Sequence, residues 1–151
     1  MIDKLTYINS QDLFADASAI IETAKNIACR SINITLVQRN WLLGKRIAEE
    51  QLGDQTREEL YGQKIVENLA KELTEQYGSG FDRSNLYLYI RFYESFPNIV
   101  DAARQQSFLL TWTHYRILLQ VDDAIAREWY ANEAAKETWS TKTLQRNISS
   151  Q

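Results

Sequence analysis

Five polar side chains stand at spacings that suit a polyanion. Arg83, Asn85 and Arg91 lie in the stretch YGSGFDRSNLYLYIRFYESFP, residues 77–97, whose apolar positions are held by Leu86, Tyr89, Ile90, Tyr93 and Phe96. Lys142 and Arg146 are four residues apart and share one helical face. Guanidinium, ammonium and carboxamide groups presented together donate to phosphate oxygens and base edges, and that is the chemistry these positions offer. The competing reading is plainer: charges on a helix most often face water and nothing else.

Bond-breaking chemistry finds little to work with. His114 is the one histidine and Cys29 the one cysteine, too few for a zinc site of the usual spacing. His114 sits beside Trp112 and Tyr115, where a hydrogen-bonded packing role is expected. Cys29 falls in a helix-patterned segment and is expected to be a small buried group. No phosphate-binding glycine loop is present, because the glycines at 78 and 80 follow a helix pattern rather than a strand. Metal-assisted phosphodiester cleavage often uses an acidic residue two positions before a lysine, the acid holding Mg²⁺ and the lysine steadying the attacking water. The residues at that spacing before Lys4, Lys25, Lys45, Lys64, Lys71, Lys136 and Lys142 are Ile2, Thr23, Leu43, Gly62, Leu69, Ala134 and Ser140. None is acidic, so no catalytic residue, metal ligand or cofactor site is assigned.

The elements that must carry the polar groups are helices throughout. With one proline and five glycines in 151 residues, the chain has few points at which a helix must stop. Asp82 is placed to cap the helix that runs to Pro97, after a turn at Gly78 and Gly80. The preceding helix carries Ile65, Val66, Leu69 and Leu73. Helix, glycine turn and helix form a helix-turn-helix-like unit. A second such unit is expected from 123–137, a turn at 138–140 and a helix at 141–149. A short helix is also expected just after Pro97. The fold class is all-α: a helical bundle with a long N-terminal helix at about 11–52 and a helical core at about 60–150, in one domain.

The N-terminal segment has its own pattern. Leu13, Ala17, Ile20, Ala24, Ile27, Ser31 and Ile34 alternate steps of four and three, a heptad-like seam. Read as one helix, it outruns a compact domain and offers the seam to a second copy; read as two helices broken near 33–35, it packs internally. Gly44 is expected to let another backbone approach, with the helix bearing Leu69 and Leu73 as the candidate.

The formal net charge is −3, which argues against a strongly basic nucleic-acid binder. Arg30, Arg39, Lys45 and Arg46 form the one net-basic stretch. No apolar run is long enough to cross a membrane, and the first residues lack a signal-peptide pattern, so a cytoplasmic location is the expectation.

Several short motifs in a fixed order carry a resemblance. They are Trp41-x-x-Gly44-x-x-Ile47, Tyr61-Gly62-x-x-Ile65, Gly80-Phe81-Asp82-x-x-Asn85-Leu86, Arg91-Phe92-Tyr93 with Pro97, Leu110-Thr111-Trp112-Thr113-His114-Tyr115, Trp129-Tyr130, and Trp139-Ser140 through Leu144. This order resembles the N-terminal domain of the YhcG-like PD-(D/E)XK nuclease family, from about Ile34 onward. The family more usually has serine at the position of Asp82, and either residue caps a helix. The resemblance implies a bacterial, non-catalytic helical domain that precedes a C-terminal nuclease domain absent from this chain. DNA binding or nuclease positioning through the helix-turn-helix-like elements is then the expected role. The alternative is a dimerisation module, working through the N-terminal seam with no nucleic-acid contact. The resemblance supplies no binding residues of its own.

Overall fold

The computed structural model describes residues 5–52, 59–97 and 110–150, and the side chains of 5–51, 62–97 and 110–150. Six helices and no strand are found among them: α1 (Leu13–Leu52), α2 (Glu59–Tyr77), α3 (Arg83–Ser95), α4 (Trp112–Leu118), α5 (Ala124–Lys136) and α6 (Thr141–Ser149). The fold is all-α, as the patterning implied. The helix expected just after Pro97 lies outside the described residues.

The first helix is a single piece of 40 residues, about 60 Å long, with no break at 33–35. Thr35 stays within it by donating its hydroxyl to the Ser31 carbonyl at 2.8 Å. Only its second half enters a core: Val37, Asn40, Trp41, Gly44, Ile47 and Ala48 are buried, and nothing from 13 to 36 is. The expectation for Cys29 is therefore corrected. Its thiol is exposed, because the periodicity that marks a helix face does not say whether anything covers that face.

Helix α3 is the hub. On one side Leu86, Tyr89 and Ile90 pack with Ile47 and Ala48 of α1 and Val66 and Ala70 of α2. On the other side Phe92 joins Val37 and Trp41 of α1 with Leu110, Tyr115, Leu118, Leu119, Tyr130, Ala134, Ala135 and Leu144. A side chain of this size contributes about 1.5–3 kcal/mol when fully buried, so two cores sharing α1 and α3 make one cooperative body. The Trp41 indole Nε1 donates to the Phe96 carbonyl at 2.9 Å, tying α1 to the end of α3.

Gly44 meets α3, and not the helix of Leu69 and Leu73 that the sequence pattern favours. A Cβ built on Gly44 would lie 1.9 Å from the Tyr89 carbonyl oxygen and 2.4 Å from its carbon. The two backbones touch there because one of them carries no side chain. The helix of Leu69 and Leu73 packs on a later turn of α1, against Ile47 and Ala48.

The turns are closed as the residue types require. Gly78 and Gly80 have φ of 87° and 100°, in the left-handed region that favours glycine. The Tyr89 hydroxyl donates to the Gly80 carbonyl at 2.8 Å, fastening the turn to α3. Burial pushes that hydroxyl's pKa above its ordinary value, with the nearby Arg39 guanidinium opposing the shift. Between α5 and α6, Thr138 takes φ of 51° and the Trp139 N–H reaches back to the Ala134 carbonyl at 3.0 Å. This is the bond pattern of a Schellman ending, with threonine where glycine is usual.

Candidate nucleic-acid interface

Asp82 caps α3, accepting from the Asn85 backbone N–H at 3.3 Å. The Asn85 carboxamide also donates to the Asp82 carboxylate, so this amide is spent on its own helix start. Arg83 lies 3.6 Å from Glu67 of α2 and over the Tyr87 ring, with its side chain 56% exposed. Arg91 lies 3.4 Å from Asp122, in a pair whose carboxylate is 96% exposed. Open pairs of this kind are worth under about 1 kcal/mol, and either guanidinium can leave its carboxylate for a phosphate at small cost. Lys142 and Arg146 are exposed on α6, and neither has an ion-pair partner among the described residues.

The packing brings one further residue to Arg91. Leu88 and Arg91 of α3, with Thr113, Arg116, Ile117, Leu119 and Gln120 from α4 and the turn after it, line an open cleft of about 240 Å³. Arg116 is exposed and has no ion-pair partner among the described residues. The cleft therefore holds two guanidiniums, a hydroxyl and a carboxamide on an apolar floor. Arg83, Asn85, Lys142 and Arg146 do not line it. Arg116 escaped sequence reading because it lies 25 positions from Arg91 inside an aromatic motif. Only the α3–α4 packing makes the two neighbours.

Three basic groups of the net-basic stretch, Arg39, Lys45 and Arg46, are occupied locally. Arg39 donates through Nε and Nη2 to the Oδ1 of the buried Asn40 side chain at 3.0 and 2.9 Å, and its guanidinium lies over Phe81. Lys45 and Arg46 face Glu49 and Glu50 one turn on, at 3.9 and 2.9 Å, as a solvated face would.

His114 is a packing residue. It is 7% exposed. The Trp139 carbonyl can only accept, so His114 Nε2–H donates to it at 2.8 Å. That leaves Nδ1 to accept from the Thr111 backbone N–H at 3.1 Å. The Thr111 hydroxyl in turn accepts from the His114 N–H, closing a capping box at the start of α4. The imidazole thus joins the start of α4 to the turn between α5 and α6. Replacing His114 with alanine leaves that N–H and C=O without their partner, and a loss of about 2 kcal/mol in urea unfolding is expected. No group of three His, Cys, Asp or Glu side chains gathers among the described residues.

The class these features define is an all-helical domain with one long projecting helix and a small basic cleft at its hub. Comparison with known proteins gives the family. The description "DUF1016 N-terminal domain" matches residues 16–151, and the chain belongs to that family. It is 28% identical over 160 aligned residues to "Putative nuclease YhcG" of Escherichia coli (strain K12), which covers 87% of this chain. The chain spans 42% of that relative's length. No solved structure matches the chain significantly. No helix among the described residues is long and apolar enough to cross a membrane.

Proposed function

We propose that this chain is the non-catalytic N-terminal domain of a nuclease-like protein, and that it holds that protein on DNA through the face shared by α3 and α4. The similarity to a protein described as a putative nuclease, of which this chain spans 42%, supports the nuclease context. The observation that carries the DNA reading is the placing of Arg91 and Arg116 on one open cleft, with the exposed Asp122 the one carboxylate paired to either among the described residues. Arg83 on the same helix, and Lys142 with Arg146 on α6, would extend the contact along a duplex. With DNA as the partner, the cytoplasm is where the protein acts. An overall charge of −3 makes the contact local and modest, so a small number of phosphates is engaged.

Fluorescence anisotropy against duplex DNA, as a function of salt, tests this. Each phosphate contact contributes about −0.9 to the slope of log K against log salt. Replacing Arg91 and Arg116 with alanine together is expected to flatten that slope by about 2 and to weaken binding evenly across sequences. No binding at low salt, or a double variant that binds like the parent, would remove this reading.

A second reading is favoured by a separate observation. Leu13, Phe14, Ile21 and Ile32 on the first half of α1 are 85%, 82%, 55% and 59% exposed. So much apolar surface in one strip fits an interaction face, and self-association through Leu13, Ala17, Ile20, Ala24, Ile27 and Ile34 is the form proposed for it. The two readings are compatible, since a dimer would present two basic clefts.

A further inference from the structure

We infer that the cleft between α3 and α4 takes one unpaired nucleotide of a DNA strand, with its base on the apolar floor and its phosphate held by Arg91 and Arg116. The inference rests on the DNA reading above and adds which part of the DNA enters the cleft.

Shape separates this from ordinary duplex contact. A paired base is stacked inside its helix, and the duplex offers a protein mainly phosphates and sugars on a convex surface. Basic groups on an open face suffice for that, as Lys142 and Arg146 stand exposed on α6. Arg91 and Arg116 instead line a hollow of about 240 Å³. At about 30 Å³ of liquid per molecule, that space holds roughly eight waters. Phosphate contact alone would leave those waters against the apolar side chains of the floor, where a flat ring can displace them. The space falls just below the roughly 300–1,000 Å³ of sites that enclose drug-sized molecules, so it suits one heterocycle and not a stacked run.

Chemistry points the same way. Leu88 of α3 and Ile117 of α4 are half-buried, so each leaves apolar surface open to a ring face. A base drawn out of its stack shows such a face together with a hydrogen-bonding edge. The Thr113 hydroxyl and the Gln120 carboxamide, both on exposed residues, can each donate and accept. Groups of that kind serve the edge of any base, so the cleft distinguishes unpaired from paired and not one base from another. Two guanidiniums remain for the phosphate. No carboxylate lines the cleft among the described residues, and Asp122, which pairs with Arg91, is 96% exposed. A nucleotide joins a flat ring to an anion and so matches both halves of this surface.

Fluorescence anisotropy on the full chain at low salt tests this with three labelled duplexes of one sequence. One is fully paired, one carries a single unpaired nucleotide, and one carries an abasic unit at that place. The unpaired base is expected to tighten binding about tenfold over the other two, within the range that one stacked base supplies. Gln120→Ala is expected to weaken the unpaired-base probe about fivefold and to leave the other two unchanged. Arg91→Ala with Arg116→Ala should weaken all three. Circular dichroism confirms that these surface variants keep their helices. Deoxyadenosine monophosphate at the probe's own concentration should not displace it; displacement would assign the cleft to a free nucleotide and overturn the strand reading. Equal binding of all three probes, or an abasic probe as tight as the unpaired base, overturns the inference and leaves the DNA contact standing. No binding of any probe removes both.

Discussion

Gly44→Ala is expected to lower the stability of the domain by about 2–4 kcal/mol, although alanine is the better helix former by about 1 kcal/mol. The added methyl would stand 1.9 Å from the Tyr89 carbonyl oxygen, and both partners are backbone, so no side chain can swing aside. Relief requires α1 and α3 to separate by more than an ångström across the interface the two cores share. At roughly 2–4 °C per kcal/mol for a chain of this size, the thermal midpoint should fall by roughly 5–15 °C. Gly62→Ala is the matched control. Its Cβ would meet nothing nearer than the Gln51 side-chain nitrogen at 3.6 Å, so the same substitution on α2 should hold or raise the midpoint. Thermal scans of the two variants side by side would refute the α1–α3 contact if Gly44→Ala were the more stable.

Phe92→Ala is expected to cost about 3–5 kcal/mol, the range for emptying a fully buried aromatic site. Phe92 is fully buried, and its ring lies 5.6 Å from Phe96, 5.2 Å from Trp112 and 4.8 Å from Tyr115, centre to centre. Removing it empties the meeting point of α3 and α4, where its ring packs on Trp112 and Tyr115. Near-ultraviolet circular dichroism should lose aromatic signal together with the drop in urea midpoint. Trp129→Ala gives the contrast: that indole is 50% exposed on α5 and should cost far less. Equal losses for the two variants would mean that the aromatic cluster is not the core described.

The faces of α2 and α3 were legible in the sequence, because Val66, Leu86, Tyr89 and Ile90 recur at helical spacing and every one is buried. Phe92 was not included in that face, since it points to a second core on the far side of α3, and one stripe per helix is all that periodicity conveys. The close approach at Gly44 was legible from residue type, but its partner was not, because which helix crosses there is decided by packing. Trp129 carries the pattern of a core residue and is half exposed, and Ile125 one turn before it is more exposed still. Of the candidate site, the capping role of Asp82 could be read from spacing, but the use of the Asn85 carboxamide in that cap could not, since the same spacing offered that amide to nucleic acid. The pairing of Arg91 with Arg116 could not, as it exists only once α4 lies against α3.

One helix serves both ends of this molecule. Trp41 and Gly44 clamp α1 against α3, and the same unbroken backbone runs back to residue 13 with no glycine, proline or break that would act as a joint. The half of it that is not buried among the described residues is a handle continuous with the globule. Whatever grasps that handle fixes not only where the globule sits but its rotation about the rod, and so the direction in which the α3 surface is aimed.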